Sequence, residues 1–188
     1  MIHLDPKNVK AVWDRALSYV ALGQHDKALA DYDAAIGLEP SAALYLERGL
    51  TRTAVGEHEP ALADFTEALA LDPTFIDAYM ARAAAHVGAS AFPQALADLD
   101  EALKLQPDSA AVLARRGAVY CQMGAYAEAA ADCTRSLELK PEQAEVFLQR
   151  AAAHAGRGDF DAAVADGTAA IKVNPHDPAA HVRRARAY

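Results

Sequence analysis

The sequence predicts an all-α fold, a solenoid of stacked antiparallel helix pairs. Three observations predict it. First, a proline closes an apolar-charged run at Pro6, Pro40, Pro73, Pro107, Pro141 and Pro175, with spacings of 34, 33, 34, 34 and 34 residues. A fixed period of this size marks a stacked repeat. Second, small residues fall in register. Ala16, Gly49, Ala83, Gly117, Ala151 and Ala185 form one row, and Ala28, Ala61, Ala95, Ala129 and Ala163 another. Ala35, Ala68, Ala102, Ser136 and Ala170 form a third, seven residues after the second. Small side chains there let two helices approach closely, ridge into groove. Third, a turn residue recurs between the first two rows: Gly23, Gly56, Gly124 and Gly158, with Ser90 as the substitute. A helix commonly ends on a left-handed residue, where a Cβ is penalised.

Residues 1–7 read as the tail of a preceding repeat or a disordered start, since Ile2-His3-Leu4-Asp5-Pro6 resembles the phrase that closes each unit. Repeats follow at about 8–41, 42–74, 75–108, 109–141 and 142–175, and a capping helix at 178–188. A half repeat at each end is what a piece of a longer protein would show. Repeat one carries Trp13, the only tryptophan. The second helices of repeats two and three open with Glu59-Pro60 and Phe92-Pro93, and proline is well tolerated in a first helical turn. Repeat three has Gly88-Ala89-Ser90 where the others place Gly two residues further on, so its turn is expected to be the most irregular. Repeat four is the most regular. Repeat five places Gly156 in its first helix and Gly167 in its second, where the other repeats have Tyr32, Phe65, Leu99 and Cys133. Glycine inside a helix costs about 1 kcal/mol relative to alanine, so repeat five is expected to be less stable than repeats one and two. In the capping helix Arg183, Arg184 and Arg186 give the end of the stack some polarity, while Val182 and Tyr188 leave end-to-end association of two copies open.

The small residues, the Gly turn, the aromatic or His two residues on (His25, His58, Phe92, Tyr126, Phe160) and the closing phrase, as in Leu71-Asp72-Pro73, together resemble the tetratricopeptide repeat family. The resemblance covers nearly the whole chain, with five full repeats and a final half repeat. It implies a right-handed superhelix that holds a peptide or protein segment in a concave groove lined by the first helices. The phrases Gln149-Arg150-Ala151-Ala152-Ala153-His154 and Ala131-Asp132-Cys133 resemble the chaperone-binding branch, which grips an acidic C-terminal motif with a clamp of Lys, Asn and Arg. Trp13 and Leu17 stand where that clamp needs Lys and Asn, and the groove face carries no Asn, so the clamp is not reproduced.

Helical spacing assigns residues to that face. The candidates are Trp13, Asp14 and Leu17 in repeat one; Leu46, Glu47 and Leu50 in repeat two; Asp77 and Met80 in repeat three; Arg115 and Gln122 in repeat four; Leu148 and Gln149 in repeat five; and Arg183 and Arg186 in the last helix. The first half offers apolar bulk with acids, the second small residues with bases. Arginine suits a carboxylate because its fork binds both oxygens.

Two charged rows are also in register: Arg15, Arg48, Arg82, Arg116, Arg150 and Arg184, and Asp31, Asp64, Asp98, Asp132 and Asp166. They are expected to form an ion-pair ladder, each Asp meeting the Arg of its own or the next repeat. A ladder for a ligand is the other use of such rows.

Composition narrows the function. The net charge is −8 and no Lys/Arg cluster forms the footprint of a nucleic-acid or anionic-membrane surface, so neither partner is expected. No apolar run reaches the length of a membrane span. Cys121 and Cys133, the only cysteines, lie on the two helices of one repeat and are expected to be reduced and mostly buried, in a cytoplasmic protein. The seven histidines make no H-E-x-x-H or related metal spacing, and His86 and His154 replace Tyr19 and Tyr120 in the stack. There is no Gly-rich phosphate loop and no G-x-S-x-G elbow. No catalytic residue, metal or cofactor is expected. The function that remains is a non-catalytic scaffold for a protein or peptide ligand, a monomer or a weak homo-oligomer through its terminal helices. The alternative is a structural self-assembly or tethering module of a larger protein.

Overall fold

The computed structural model describes residues 8–176 together with Pro178, His181 and Val182. Among the described residues there are ten α-helices and no strand. They are α1 (Val9–Ala21), α2 (His25–Leu38), α3 (Ala42–Ala54), α4 (His58–Leu71), α5 (Ile76–Gly88), α6 (Phe92–Leu105), α7 (Ala110–Met123), α8 (Tyr126–Leu139), α9 (Ala144–Gly156) and α10 (Phe160–Val173). The chain divides into two compact units, one ending at Ala91 with α1 to α5, the other starting at Phe92 with α6 to α10.

Local chemistry sets the helix ends. Asn8 Oδ1 accepts the Ala11 N–H at 3.1 Å, and Ser41 Oγ the Leu44 N–H at 3.4 Å, so α1 and α3 begin with a side-chain cap. The turn after α1 closes with Gly23 N–H donating to Val20 O and Gln24 N–H to Tyr19 O, each at 2.9 Å. Gly23 is left-handed there, at φ 69°. The turn after α5 was expected to be irregular, and it is not. Ser90 N–H donates to Val87 O at 2.9 Å and Ala91 N–H to His86 O at 2.8 Å, the same pair of bonds as after α1. Ser90 itself takes the left-handed conformation, at φ 57°. Gly88 is simply the last helical residue, and the turn accepts the steric cost of a serine Cβ, about 1–2 kcal/mol.

In the first unit α1 packs on α2 and α3 on α4, with α2 against α3, α4 against α5, and α3 alongside α5. In the second unit α7 packs on α8 and α9 on α10, with α6 against α7, α8 against α9, and α7 alongside α9. The small-residue row explains the close pairing. A Cβ on Gly49 would lie 2.5 Å from Phe65 Cε1, and one on Gly117 would lie 3.0 Å from Cys133 Sγ. Tyr32, Phe65, Leu99 and Cys133 fill the same place in successive second helices, each fully buried. Gly167 holds that place in α10 without a side chain. Gly156 is the last residue of α9, and a Cβ there would lie 2.5 Å from the Tyr126 ring, so its missing side chain seats an aromatic from α8.

The charged rows are structural. Arg15 binds both oxygens of Asp31 at 2.7 Å; Arg116 binds Asp132 at 2.7 and 2.8 Å; and Arg150 binds Asp166 at 2.7 and 2.9 Å. Arg48 Nη2 lies 2.6 Å from Asp64. A further donor of Arg48, Arg116 and Arg150, and one of Arg82 in the same row, reaches back to the preceding second helix. It meets Asp33 from Arg48 at 2.6 Å, Thr66 from Arg82 at 3.2 Å, Asp100 from Arg116 at 2.7 Å and Thr134 from Arg150 at 3.0 Å. One guanidinium thus ties three helices together, which its rigid fork of donors makes possible. An aromatic one turn earlier covers several of them: the Arg48, Arg82 and Arg150 guanidinium carbons lie 5.3, 6.0 and 5.7 Å from the rings of Tyr45, Tyr79 and Phe147.

Candidate peptide-binding face

The first helices α1, α3 and α5 carry the candidate face of the first unit. On α1, Trp13, Asp14 and Leu17 lie within about one helical turn, with Asp14 exposed and Leu17 40% exposed. Leu50 holds the corresponding place on α3 and is 44% exposed. Asp77 is exposed on α5 and Met80 is half-buried. Leu17 and Leu50 are bulky apolar side chains that the core does not consume, Trp13 packs partly buried against the core cluster, and acids stand beside them. Leu46 is different. It is only 7% exposed and belongs to the core cluster with Ala61, Phe65, Ala68, Leu69, Ala78 and Ala85. Because α3 lies alongside α5, a side chain on the flank of the face is covered by its neighbour.

A cleft of about 600 Å³ opens beside α1. Val9, Trp13, Leu17 and Leu44 form its apolar walls, and Lys10, Asp14, Glu39 and Ser41 its polar ones. It joins three of the predicted residues, Trp13, Asp14 and Leu17, to four that sequence reasoning missed, Val9, Glu39, Ser41 and Leu44. Glu39 and Ser41 lie in the α2–α3 connection, beyond the first helices to which the spacing argument was confined. Their signal was their place beside Pro40, where the chain must turn back past the next first helix. Trp13 Nε1 is buried in this wall without a hydrogen-bond partner.

Glu47, on α3, is half-buried, and that burial holds its carboxyl above the usual range. It makes no ion pair among the described residues. The Tyr32 hydroxyl is pushed up to about 12, by burial first and by the charge of Glu47 second.

In the second unit Arg115 and Gln122 are exposed on α7. Gln149, on α9, is partly engaged: its carbonyl oxygens face Cys121 Sγ at 3.7 Å from the backbone and Cys133 Sγ at 3.9 Å from the side chain. Leu148 is 6% exposed and packs with Ala170, a core residue like Leu46 and for the same reason, since α9 lies alongside α7 and packs on α10. Arg183 and Arg186 lie outside the described residues. Cys121 and Cys133 are free thiols, and burial pushes Cys133 up to about 12, which leaves it unreactive. Among the described residues no three His, Cys, Asp or Glu side chains converge as a metal set, and no helix is long and apolar enough to cross a membrane.

Helix pairs of this length, each closed by a left-handed turn and stacked through small residues, have a counterpart among known sequences. The profile of the tetratricopeptide repeat matches residues 14–74, 80–144 and 148–188. The chain belongs to the tetratricopeptide repeat family. Solved tetratricopeptide repeat structures share its fold. A protein from Parabacteroides merdae is 24% identical over 96% of this chain and 72% of its own, with a TM-score of 0.85. TTC0263, a thermophilic protein of Thermus thermophilus, is 26% identical over 95% of this chain and 98% of its own, with a TM-score of 0.72. YrrB, described as having an unusual peptide-binding site, is 20% identical over 96% of this chain and 94% of its own, with a TM-score of 0.76. No curated protein matches the sequence.

Proposed function

We propose that this tetratricopeptide repeat chain is a non-catalytic scaffold that binds a protein or peptide segment along the faces of its first helices. The observation that carries the reading is the pair Leu17 and Leu50. They stand at one register place on α1 and α3, are 40% and 44% exposed, and are flanked by Asp14 and Glu47. Exposed apolar side chains in register, with charges beside them, are the signature of an interaction surface. In YrrB the same fold carries a peptide-binding site. Trp13, Asp77 and Met80 extend the face in the first unit, and Arg115, Gln122 and Gln149 give the second unit a polar stretch suited to a carboxylate. Arg183 and Arg186 belong to the same reading. A cytoplasmic setting suits the two free thiols.

The test is a lysate pull-down with mass spectrometry, run beside a Leu50→Glu/Arg115→Glu double variant that circular dichroism shows to be folded. A protein held by the original chain and lost by the variant is the expected outcome. Equal retention by both moves the site to the other face or the ends. Retention by neither, with light scattering that grows with concentration, replaces this reading with self-assembly.

A further inference from the structure

The ion-pair ladder consumes the arginines of α1 and α3 and leaves the acids of their open face. Arg15 spends its fork on Asp31, Arg48 binds Asp64 and Asp33, and Arg52 reaches Asp64 and Glu57. Those acids lie on the second helices or in the turn before α4. The acids of the first helices are not used. Asp14 on α1 and Glu47 on α3 share one register place, and Leu17 and Leu50 share the place three residues on. Glu39 stands near Asp14 in the wall of the cleft by α1, where Lys10 is the single base among the described residues. Among the described residues Asp14, Glu39 and Glu47 have no ion-pair partner.

Resting on the reading that the first helices hold a protein segment, we propose that the segment taken by the first unit is basic: its Lys or Arg heads meet Asp14 and Glu47, and its aliphatic stems and apolar residues cover Leu17, Leu50 and the apolar walls of the cleft by α1. Lys and Arg carry both chemistries in one side chain, an apolar stem and a charged head. Trp13 lines the same cleft, and indole is the aromatic ring that attracts a cation most strongly. Glu47 is half-buried, so its carboxylate has already lost part of its water, and that burial holds its carboxyl above the usual range. A cation from a ligand supplies the countercharge that the ladder keeps elsewhere.

The two acids also set a spacing. Helix α3 reaches α1 through Leu44, which packs with Val12 and Ala16. Helices in contact stand about 8–10 Å apart. A polyproline II segment turns once in three residues and advances about 9 Å in doing so. Cations three residues apart on such a segment therefore fall on one side, at the separation of neighbouring first helices. The same acids select against other occupants. An acidic segment meets like charge there, and a second copy of this chain brings a net charge of −8.

Trp13 is the only tryptophan and lines the cleft, so its fluorescence reads occupancy locally. The full chain is titrated at low salt with capped peptides of three Lys-Leu-Pro, Gln-Leu-Pro or Glu-Leu-Pro units. The basic peptide is expected to bind about tenfold tighter than the neutral one, the size of two partly exposed ion pairs, and the acidic peptide weakest. Added salt is expected to narrow the difference. Asp14→Asn/Glu47→Gln, shown to be folded by circular dichroism, is expected to bring the basic peptide to the affinity of the neutral one. A basic peptide that binds no better than the neutral one overturns the proposal, as does one whose affinity the double variant keeps, or the binding of none of the three. Leu17→Ser/Leu50→Ser separates that failure from failure of the face itself. Peptides bound alike by the original chain and lost by the leucine variant leave the face as a binding site without a preference for charge. Peptides bound alike by all the chains remove the face as well.

Discussion

Asp64 is the most heavily committed charge among the described ladder residues. Its side chain is 3% exposed, and it accepts from Arg48 and Arg52, whose side chains are 14% and 22% exposed. Removing it leaves Arg48 with Asp33 and Arg52 with Glu57 as their remaining acids, and two mostly buried guanidinium groups close together. Breaking one member of a buried pair typically costs about 3 kcal/mol or more, because the partner is left uncompensated. Among the described residues Asp31 meets only Arg15, whose side chain is 43% exposed. Water can take over there, and a pair of that kind is worth about 1 kcal/mol or less. Asp64→Ala is therefore expected to lower stability about three times as much as Asp31→Ala in urea unfolding. Equal losses would mean that burial does not set the strength of the ladder. The Arg and Asp rows could be read from the sequence because their residue types never change. Their third partner could not. That row alternates between acid and hydroxyl, as Asp33, Thr66, Asp100 and Thr134, and only the reach of the guanidinium unites them.

At the scale of the helix pair, the same chemical change is expected to have opposite signs at two glycines. Gly156→Ala forces a methyl group to within 2.5 Å of the Tyr126 ring, although the backbone there is helical and the change favours the helix intrinsically. Overpacking of this kind costs about 1–3 kcal/mol, which exceeds the propensity gain. Gly167 stands within α10 at the place that Tyr32, Phe65 and Leu99 fill elsewhere. Gly167→Ala adds helix propensity inside α10 and is expected to stabilise by about 1 kcal/mol. Thermal unfolding of the two variants checks both signs, and a stabilising Gly156→Ala would show that Tyr126 can move aside freely. From spacing alone the two glycines looked equivalent, because periodicity reports which helix a residue is on and not what approaches it. Leu46 and Leu148 were misassigned to the open face for that reason. The period places them on the correct helices but does not report what covers them: Ala170 of its own repeat for Leu148, and α4 together with Ala78 and Ala85 of the next repeat for Leu46.

For the whole chain, the repeat pattern has an energetic consequence. The buried clusters are small and local: Val12, Tyr32 and Leu44 in one; Leu46, Phe65 and Leu69 in the next; Cys133, Leu137 and Val146 in a third. Stability in such a chain is close to a sum of repeat terms and nearest-neighbour terms. A local lesion should then stay local. Asp64→Ala is expected to weaken hydrogen-exchange protection strongly in α3 and α4, less in α1 and α2, and least in α9 and α10. The free energies of local opening would report the lesion by its distance along the chain. A uniform loss from α1 to α10 would instead make the chain one cooperative block, and the additive account of its repeats would fail. The graded outcome also bears on binding. A segment held along several first helices orders each repeat it touches, so a ligand on α1 and α3 would raise protection there and leave α9 and α10 unchanged.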